Sequence, residues 1–351
     1  MMGFDQVEMR LHCFELPLRH AFGISRFTHS VQPSLIVELT DGEFSGFGEA
    51  TTDPYYRTSL SRMVEVAQQV RTLVAQTHWD HPEILWRALR VALNGESFVH
   101  CAIDQAAHDL WGKRHGLPTF EMLGLNLSSV PESSFTIGLD QPEVMIAKLK
   151  EEPDWPIYKI KLGTENDLKI VERLRHHTDA VFRVDANCAW NSQQAIDYSD
   201  VLRDLGVEFI EQPLPADDWQ GASRVYRESS IPIIADESCL VAEDIPRCVN
   251  HFHGVNIKMV KCGGITPALR MIKQSRDMGM KVMLGCMTES SVGISAIAQL
   301  LPLLNYVDID GANLLAQDIA SGVKVQNGKI HFPSQPGNGV TLLSDGQQDL
   351  D

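Results

Sequence analysis

No apolar run in the chain approaches the ~20 residues a membrane-spanning helix needs, so no span is expected. Positive charge is scarce. Thirty Lys and Arg stand against 46 Asp and Glu, a net charge of −16, which argues against nucleic acid or an anionic membrane as partner. The opening residues, MMGFDQVEMR, have neither a basic start nor an apolar signal core. Export is therefore not expected, and a cytoplasmic location is. The seven cysteines (13, 101, 188, 239, 248, 262 and 286) are scattered and odd in number, which excludes a disulfide scaffold. They read as small packing residues in a reducing compartment. No histidine stands in a recognisable relation to any of them, so a catalytic thiol is disfavoured.

What remains is ordinary for a globular protein: 44% hydrophobic and 22% charged residues over 351 positions, a length that suits two domains. VEMRLHCFEL (7–16) and PSLIVEL (33–39) read as strands, and Asp41-Gly42 turns into FSGFGEA. RHAFGISRFTHS (19–30) and TTDPYYR (51–57) read as long exposed loops, where binding function often lies. Helical spacing follows in Leu60, Met63, Val64, Ala67, Val70 and Val74, and again over 98–115, which Gly116 and Pro118 end. From Ser134 short apolar runs recur near 135, 158, 183, 209, 234, 256, 283 and 307, with helical patterns between them. In one of these, Thr266 is expected as N-cap, Pro267 as first helical residue and Gly279 just past the end. This spacing predicts an α/β fold: a (β/α)8-type, TIM-like barrel over 126–322, with an α+β capping domain over 1–125. The tail, 323–351, is expected to complete the cap, its SGVKVQNGKIHF hairpin turning at Asn327-Gly328. A doubly wound open sheet is the alternative. It is disfavoured because charges follow nearly every strand and no glycine-rich phosphate loop follows the first.

Those charges are the informative feature. YKIKLG, RVDAN, FIEQP, IIADES and VNIKMVK (158–261) each end a buried apolar run in charged groups, and a core has no use for them there. Asp185, Glu211 and Asp236 would end three neighbouring strands. Converging carboxylates repel unless a cation neutralises them, and hard oxygen ligands suit Mg²⁺, with Mn²⁺ as the alternative. Lys161 and Lys258 would end the second and sixth strands, on opposite sides of the ring. That arrangement suits removal of a proton from one face of a chelated substrate and its return on the other. Lys159, on the same side of its strand as Lys161, would lower that lysine's pKa by its field, or simply bind an anion. Lys261 reads as structural.

The motifs KIK, DAN, EQP, ADES and NIKMVKCGG, with GFGEA near the start and PGNGV near the end, resemble the enolase superfamily in its muconate-lactonizing-enzyme subgroup. The resemblance spans nearly the whole chain. It implies metal ligands at Asp185, Glu211 and Asp236, an acid/base pair at Lys161 and Lys258, and supporting roles for Lys159, Asn187 and Glu237. Val307-Asp308-Ile309-Asp310-Gly311 resembles the Asp-x-Asp motif of dipeptide epimerases, whose carboxylates hold the substrate's free ammonium. GCMTESS (285–291) is also similar to those enzymes and adds Glu289 to the substrate-binding set. Arg26 falls about where glutamate-preferring members carry an arginine for the side-chain carboxylate, whereas Thr28, His29, Tyr55 and Tyr56 read as surface residues. The implied activity is Mg²⁺-dependent epimerisation of a dipeptide at its C-terminal residue, L-Ala-D/L-Glu first, by two-base 1,1-proton transfer through an enediolate. Such a peptide belongs to cell-wall metabolism. The alternatives are an N-acylamino-acid racemase, an o-succinylbenzoate-synthase-like member, or a non-catalytic peptide binder; a homo-oligomer stays open.

Overall fold

The computed structural model describes residues 7–343 and 348–350. The first six residues, on which the reading of the N-terminus partly rests, lie outside it. Apolar alternation builds the N-terminal sheet: in Glu8–Gly23 (β1) Met9 and Leu11 turn inward while Glu8 and Arg10 face water. Thr28–Thr40 (β2) pairs antiparallel with β1, and Ser45–Thr51 (β3) with β2. The long loop expected at 19–30 is instead strand. Both strands run on to Gly23 and Thr28, and a turn of 24–27 is closed by Ile24 N–H donating to the Phe27 carbonyl at 3.0 Å. This ribbon buries neither face fully, so it has no clean alternation by which to be recognised.

Leu60–Gln76 (α1), Pro82–Leu89 (α2) and Ser97–His115 (α3) cover the sheet. Gly48 is required where α3 crosses β3, since a Cβ there would lie 2.0 Å from the Ala102 carbonyl oxygen. Gly116, at φ 68°, ends α3 in the left-handed region.

Eight parallel strands follow in sequence order: Phe135–Ile137 (β4), Ile157–Lys161 (β5), Val181–Asp185 (β6), Val207–Glu211 (β7), Ile233–Ala235 (β8), Gly254–Ile257 (β9), Lys281–Gly285 (β10) and Tyr306–Asp308 (β11). Ser133, just ahead of β4, forms a parallel bridge to Val307 of β11, which all but closes the ring. Each strand falls where an apolar run was centred. Phe209, Ile234 and Met283 pack with Tyr306 as a dry layer inside the ring.

Two details differ from expectation. The helix expected to start after Thr266 spans Ile265–Asp277, with Gly264 at the N-cap position. Its cap comes from the other domain: Asp104 of α3 accepts from Thr266 N–H at 2.8 Å and Thr266 Oγ1 at 2.7 Å. The 324–331 hairpin packs beneath the barrel rather than on the cap. Ser133 N–H donates to the Gly328 carbonyl at 2.9 Å, and Gly328 abuts Pro156. The chain after it reaches the N-terminal domain, where Asn338 N–H donates to Asp109 at 2.6 Å and 348–350 pairs with β1. Among the described residues no helix is long and apolar enough to cross a membrane.

Candidate active site

The parallel register sets the rim. Lys161 stands beside Asp185 and Asp185 beside Glu211 in the ladder, each the last residue of its strand. Asp236 and Lys258 directly follow β8 and β9, and Asp308 ends β11. Carboxylate oxygens of Asp185, Glu211 and Asp236 lie within 4.8 Å of one another, all buried. The backbone is bent sharply here: Asn187, Cys188 and Gln212 take φ of 44°, 67° and 34°, a region non-glycine residues avoid and functional sites often occupy.

Ammonium groups surround the triad. Lys161 Nζ is 2.6 Å from Asp185, and Lys258 Nζ is 2.9 Å from Asp236. Lys261 Nζ donates to Asp236 Oδ1 at 2.6 Å and also reaches the Asp236, Cys239 and Asn256 carbonyls, so it is a fixed structural brace. Lys159 Nζ sits in the middle of the barrel, 2.9 Å from Glu211, 2.9 Å from Asp308 and 3.5 Å from Asp185. Burial opposes the charge on Lys159 and Lys258, but the carboxylates against them raise both. Burial likewise opposes charge on Asp236, yet Lys258 and Lys261 hold it well below the usual carboxylate range. Glu211 is pushed up to about 7 by burial, with the charges of Asp185 and Asp236 adding to it.

This donor set fits a hard divalent cation. Three buried carboxylates share one point, and Glu211 Oε2 lies 2.9 Å from Lys159 Nζ but off the direction a hydrogen bond requires, so it stays unsatisfied. Asn187 Oδ1 and Glu237 Oε2, both buried, likewise have no hydrogen-bond partner among the described residues.

A cavity opens beside the triad and is lined there by Asp236. Lys159, Lys161, Lys258, Asn187, Glu237, Asp308 and Asp310 line it. At the far side Asp308 spends Oδ2 on Lys159 and accepts from Ser134 Oγ at 2.8 Å. Asp310 accepts from Thr136 N–H at 2.6 Å and Thr136 Oγ1 at 3.1 Å. Burial opposes ionisation of Asp308, but Lys159 holds it down at about 2, whereas burial and the Asp308 charge push Asp310 up to about 8.

Arg26, at the tip of the β1–β2 ribbon, reaches the rim. It donates to Glu237 Oε1 at 2.7 Å and to the Asn187 carbonyl at 2.9 Å, and it stacks on Tyr55 at 4.2 Å. His29 and Tyr56, expected at the surface, line the cavity, because the ribbon and the 51–57 loop fold over the barrel mouth. Glu289 is not among the residues lining the cavity; its Oε1 accepts from Met287 N–H at 2.7 Å, next to Cys286, Met287 and Thr288, which do line it.

Three residues escaped sequence reasoning. Thr136 holds Asp310 as described; Asn256 Nδ2 donates to Glu211 Oε1 at 2.8 Å, and Gln212 Oε1 accepts from Asp236 N–H at 2.9 Å. Asn256 lies two residues before Lys258, hence on the same side of its strand, which was a usable signal. Thr136 and Gln212 are uncharged and gave none.

The mandelate racemase / muconate lactonizing enzyme N-terminal domain profile matches residues 6–124, and the enolase C-terminal domain-like profile matches 145–346. An L-Ala-D/L-amino acid epimerase of Flavobacterium johnsoniae is 48% identical over 96% of this chain and 100% of its own. One from Maribacter sp. is 50% identical over 96% and 99%. Among solved structures, a dipeptide epimerase of Enterococcus faecalis V583, complexed with Mg and L-Leu-L-Tyr, superposes with a TM-score of 0.88 at 28% identity, covering 97% of this chain and 100% of that one.

Proposed function

The chain belongs to the mandelate racemase / muconate lactonizing enzyme family, and from that premise we propose that it is a Mg²⁺-dependent dipeptide epimerase. The observation that carries this is the pairing of two features across one cavity: the carboxylate triad on one side, Asp308 and Asp310 on the other. A dipeptide has a carboxylate for the first and an ammonium for the second.

Asp185, Glu211 and Asp236 would hold the cation, which would supply Lewis-acid charge at the substrate carboxylate. Lys161 and Lys258 stand on strands four apart in the eight-stranded ring, so one takes the α-proton while the other delivers a proton to the opposite face. Lys159 joins the two ends of the site by bridging Asp308 to Glu211 and Asp185. Asp310, with Thr136 behind it, receives the ammonium. Asn187 and Glu237 offer unpaired oxygens beside the triad for waters or substrate amide. Mn²⁺ is the alternative cation.

L-Ala-D/L-Glu heads the substrate panel. Arg26 is the candidate for its side-chain carboxylate, although Glu237 already engages that guanidinium. Phe22, Ile24, Phe27 and Tyr56 line the same cavity, so apolar C-terminal residues belong in the panel as well. A cytoplasmic place of action and a part in cell-wall peptide turnover belong to the same reading. The test is α-deuterium uptake in D₂O, followed by NMR, over free dipeptides and their N-acetylated forms. Free dipeptides should exchange and invert; preference for acylated amino acids would make this a racemase, and no exchange at all a binder.

A further inference from the structure

Beneath the cavity, two carboxyls from different domains lie against one helix turn, and among the described residues neither forms an ion pair with a lysine or arginine. Glu49 of β3 is fully buried, and Glu289 is 3% exposed. Glu49 accepts from four donors: Ser34 Oγ at 2.7 Å, Ser290 N–H at 3.1 Å, Ser290 Oγ at 2.5 Å and Gly293 N–H at 2.9 Å. It thus caps the first turn of the Ser291–Ala298 helix, where the helix dipole also favours a negative charge. Glu289 lies against the same turn, so tightly that a Cβ on Gly293 would come within 1.9 Å of its Oε2. Its Oε1 accepts from Met287 N–H at 2.7 Å. The segment just before Glu289 is the cavity wall: Cys286, Met287 and Thr288 all line it. That wall is also tied by Cys286 N–H donating to the Asp308 carbonyl at 2.8 Å, and it rests on Gly311, whose Cβ would meet the Met287 carbonyl at 2.5 Å.

We propose that Glu289 is an uncharged positioning residue, holding residues 286–288 as a wall of the dipeptide cavity while the neighbouring Glu49 carries the charge. The inference that this wall shapes a dipeptide site rests on the proposed function; the protonation of Glu289 does not. Two adjacent buried carboxyls cannot both ionise cheaply. Burial raises both carboxyls, but at Glu49 four donors and a helix terminus oppose that rise, whereas Glu289 has a single backbone donor. Burial, with the Glu49 charge adding to it, pushes Glu289 up to about 8. The other groups facing it are the Lys258 ammonium, which opposes that rise, and the Cys101 and Cys286 thiols, both held neutral chiefly by burial. Lys258 is already engaged by Asp236 at 2.9 Å. Ionisation of Glu289 would set like charges together, drive its side chain toward water and leave the Met287 amide without its acceptor.

Two measurements test this, and the first needs no substrate. The Glu289 carboxyl is followed by ¹³C NMR of glutamate-labelled protein, assigned by its loss in Glu289→Gln. It should titrate near pH 8, several units above an exposed glutamate, and a carboxyl already ionised at pH 6 would overturn the proposal. Because Glu289 starts to titrate near 4.5 when unfolded, wild-type stability should fall relative to Glu289→Gln from about pH 4.5 to about pH 8 and run parallel above it. The second measurement uses whichever dipeptide the exchange screen identifies. Glu289→Ala should raise KM about ten-fold at pH 7 with kcat within about two-fold, and Glu289→Gln should restore KM to within about two-fold. KM of the wild type should rise above pH 8 while that of Glu289→Gln does not. If Glu289→Gln is as impaired as Glu289→Ala, the carboxyl acts as an anion and the proposal fails. If no dipeptide is turned over, the NMR and stability results still decide the protonation, and only the proposed function falls.

Discussion

Replacing Asp310 by asparagine isolates the group that separates a dipeptide enzyme from its racemase relatives. Asp308 is committed elsewhere, with one oxygen on Lys159 and the other on Ser134, so Asp310 has the greater capacity left for an ammonium. Its tie to Thr136 N–H survives in Asp310→Asn, because the amide oxygen can take the place of the accepting carboxylate oxygen. Burial and Asp308 push Asp310 up to about 8, but an ammonium bound against it favours the carboxylate, and what the variant loses is that charge-assisted hydrogen bond, worth roughly 1.5–3 kcal/mol when desolvated. At ~1.4 kcal/mol per decade, kcat/KM for a free dipeptide should fall about 10- to 100-fold. N-acetylation of the substrate removes the same interaction from the other side. The two changes should therefore not add: the acetylated dipeptide should be poor with wild type and barely poorer with Asp310→Asn. Exchange of the α-proton by NMR at pH 7, where a peptide ammonium is charged, gives all four rate constants. Equal losses on free and acetylated substrates would show that Asp310 shapes the site without touching the ammonium. Wild-type turnover of acetylated and free substrates at equal rates would refute the dipeptide assignment itself.

Chelation should abolish exchange and Mg²⁺ should restore it, while Asp236→Asn should weaken Mg²⁺ binding at least about ten-fold by calorimetry; full turnover in metal-free buffer would contradict the mechanism. Lys161→Ala and Lys258→Ala should each lose epimerisation yet retain slow exchange from only one epimer, and equal exchange of both epimers in either variant would exclude two bases. Acid should unfold the protein partly through His108, whose ring burial holds down to about 4 against an ordinary 6.5. Its contribution, about 3 kcal/mol, is fully present above pH 6.5 and lost as pH falls through about 4. The urea midpoint of His108→Gln should therefore vary less over that window than the wild type's, and an unchanged slope would show that His108 is already charged in the native protein.

By itself the sequence determined the barrel, its strand positions and the charged residues at the strand ends. That information is local: strands buried on both faces must be apolar throughout, so each lysine or carboxylate closing one stands out and has a single strand end to occupy. It also carried the family, because the spacing between those ends is set by the strand-and-helix repeat. Tertiary structure alone decided which partners the charges take. Asp308 and Asp310 look equivalent along the chain, yet the Lys159 ammonium bonds the first and the Thr136 backbone N–H the second, from strands about 150 and 170 residues away. Glu289 looks like a rim residue until the fold turns it under the wall and sets Glu49 beside it. The cap on the Ile265–Asp277 helix was invisible for the same reason, being Asp104, some 160 residues earlier. Periodicity reports which face of an element is buried; it carries nothing about which buried group lies opposite, and protonation depends on that neighbour.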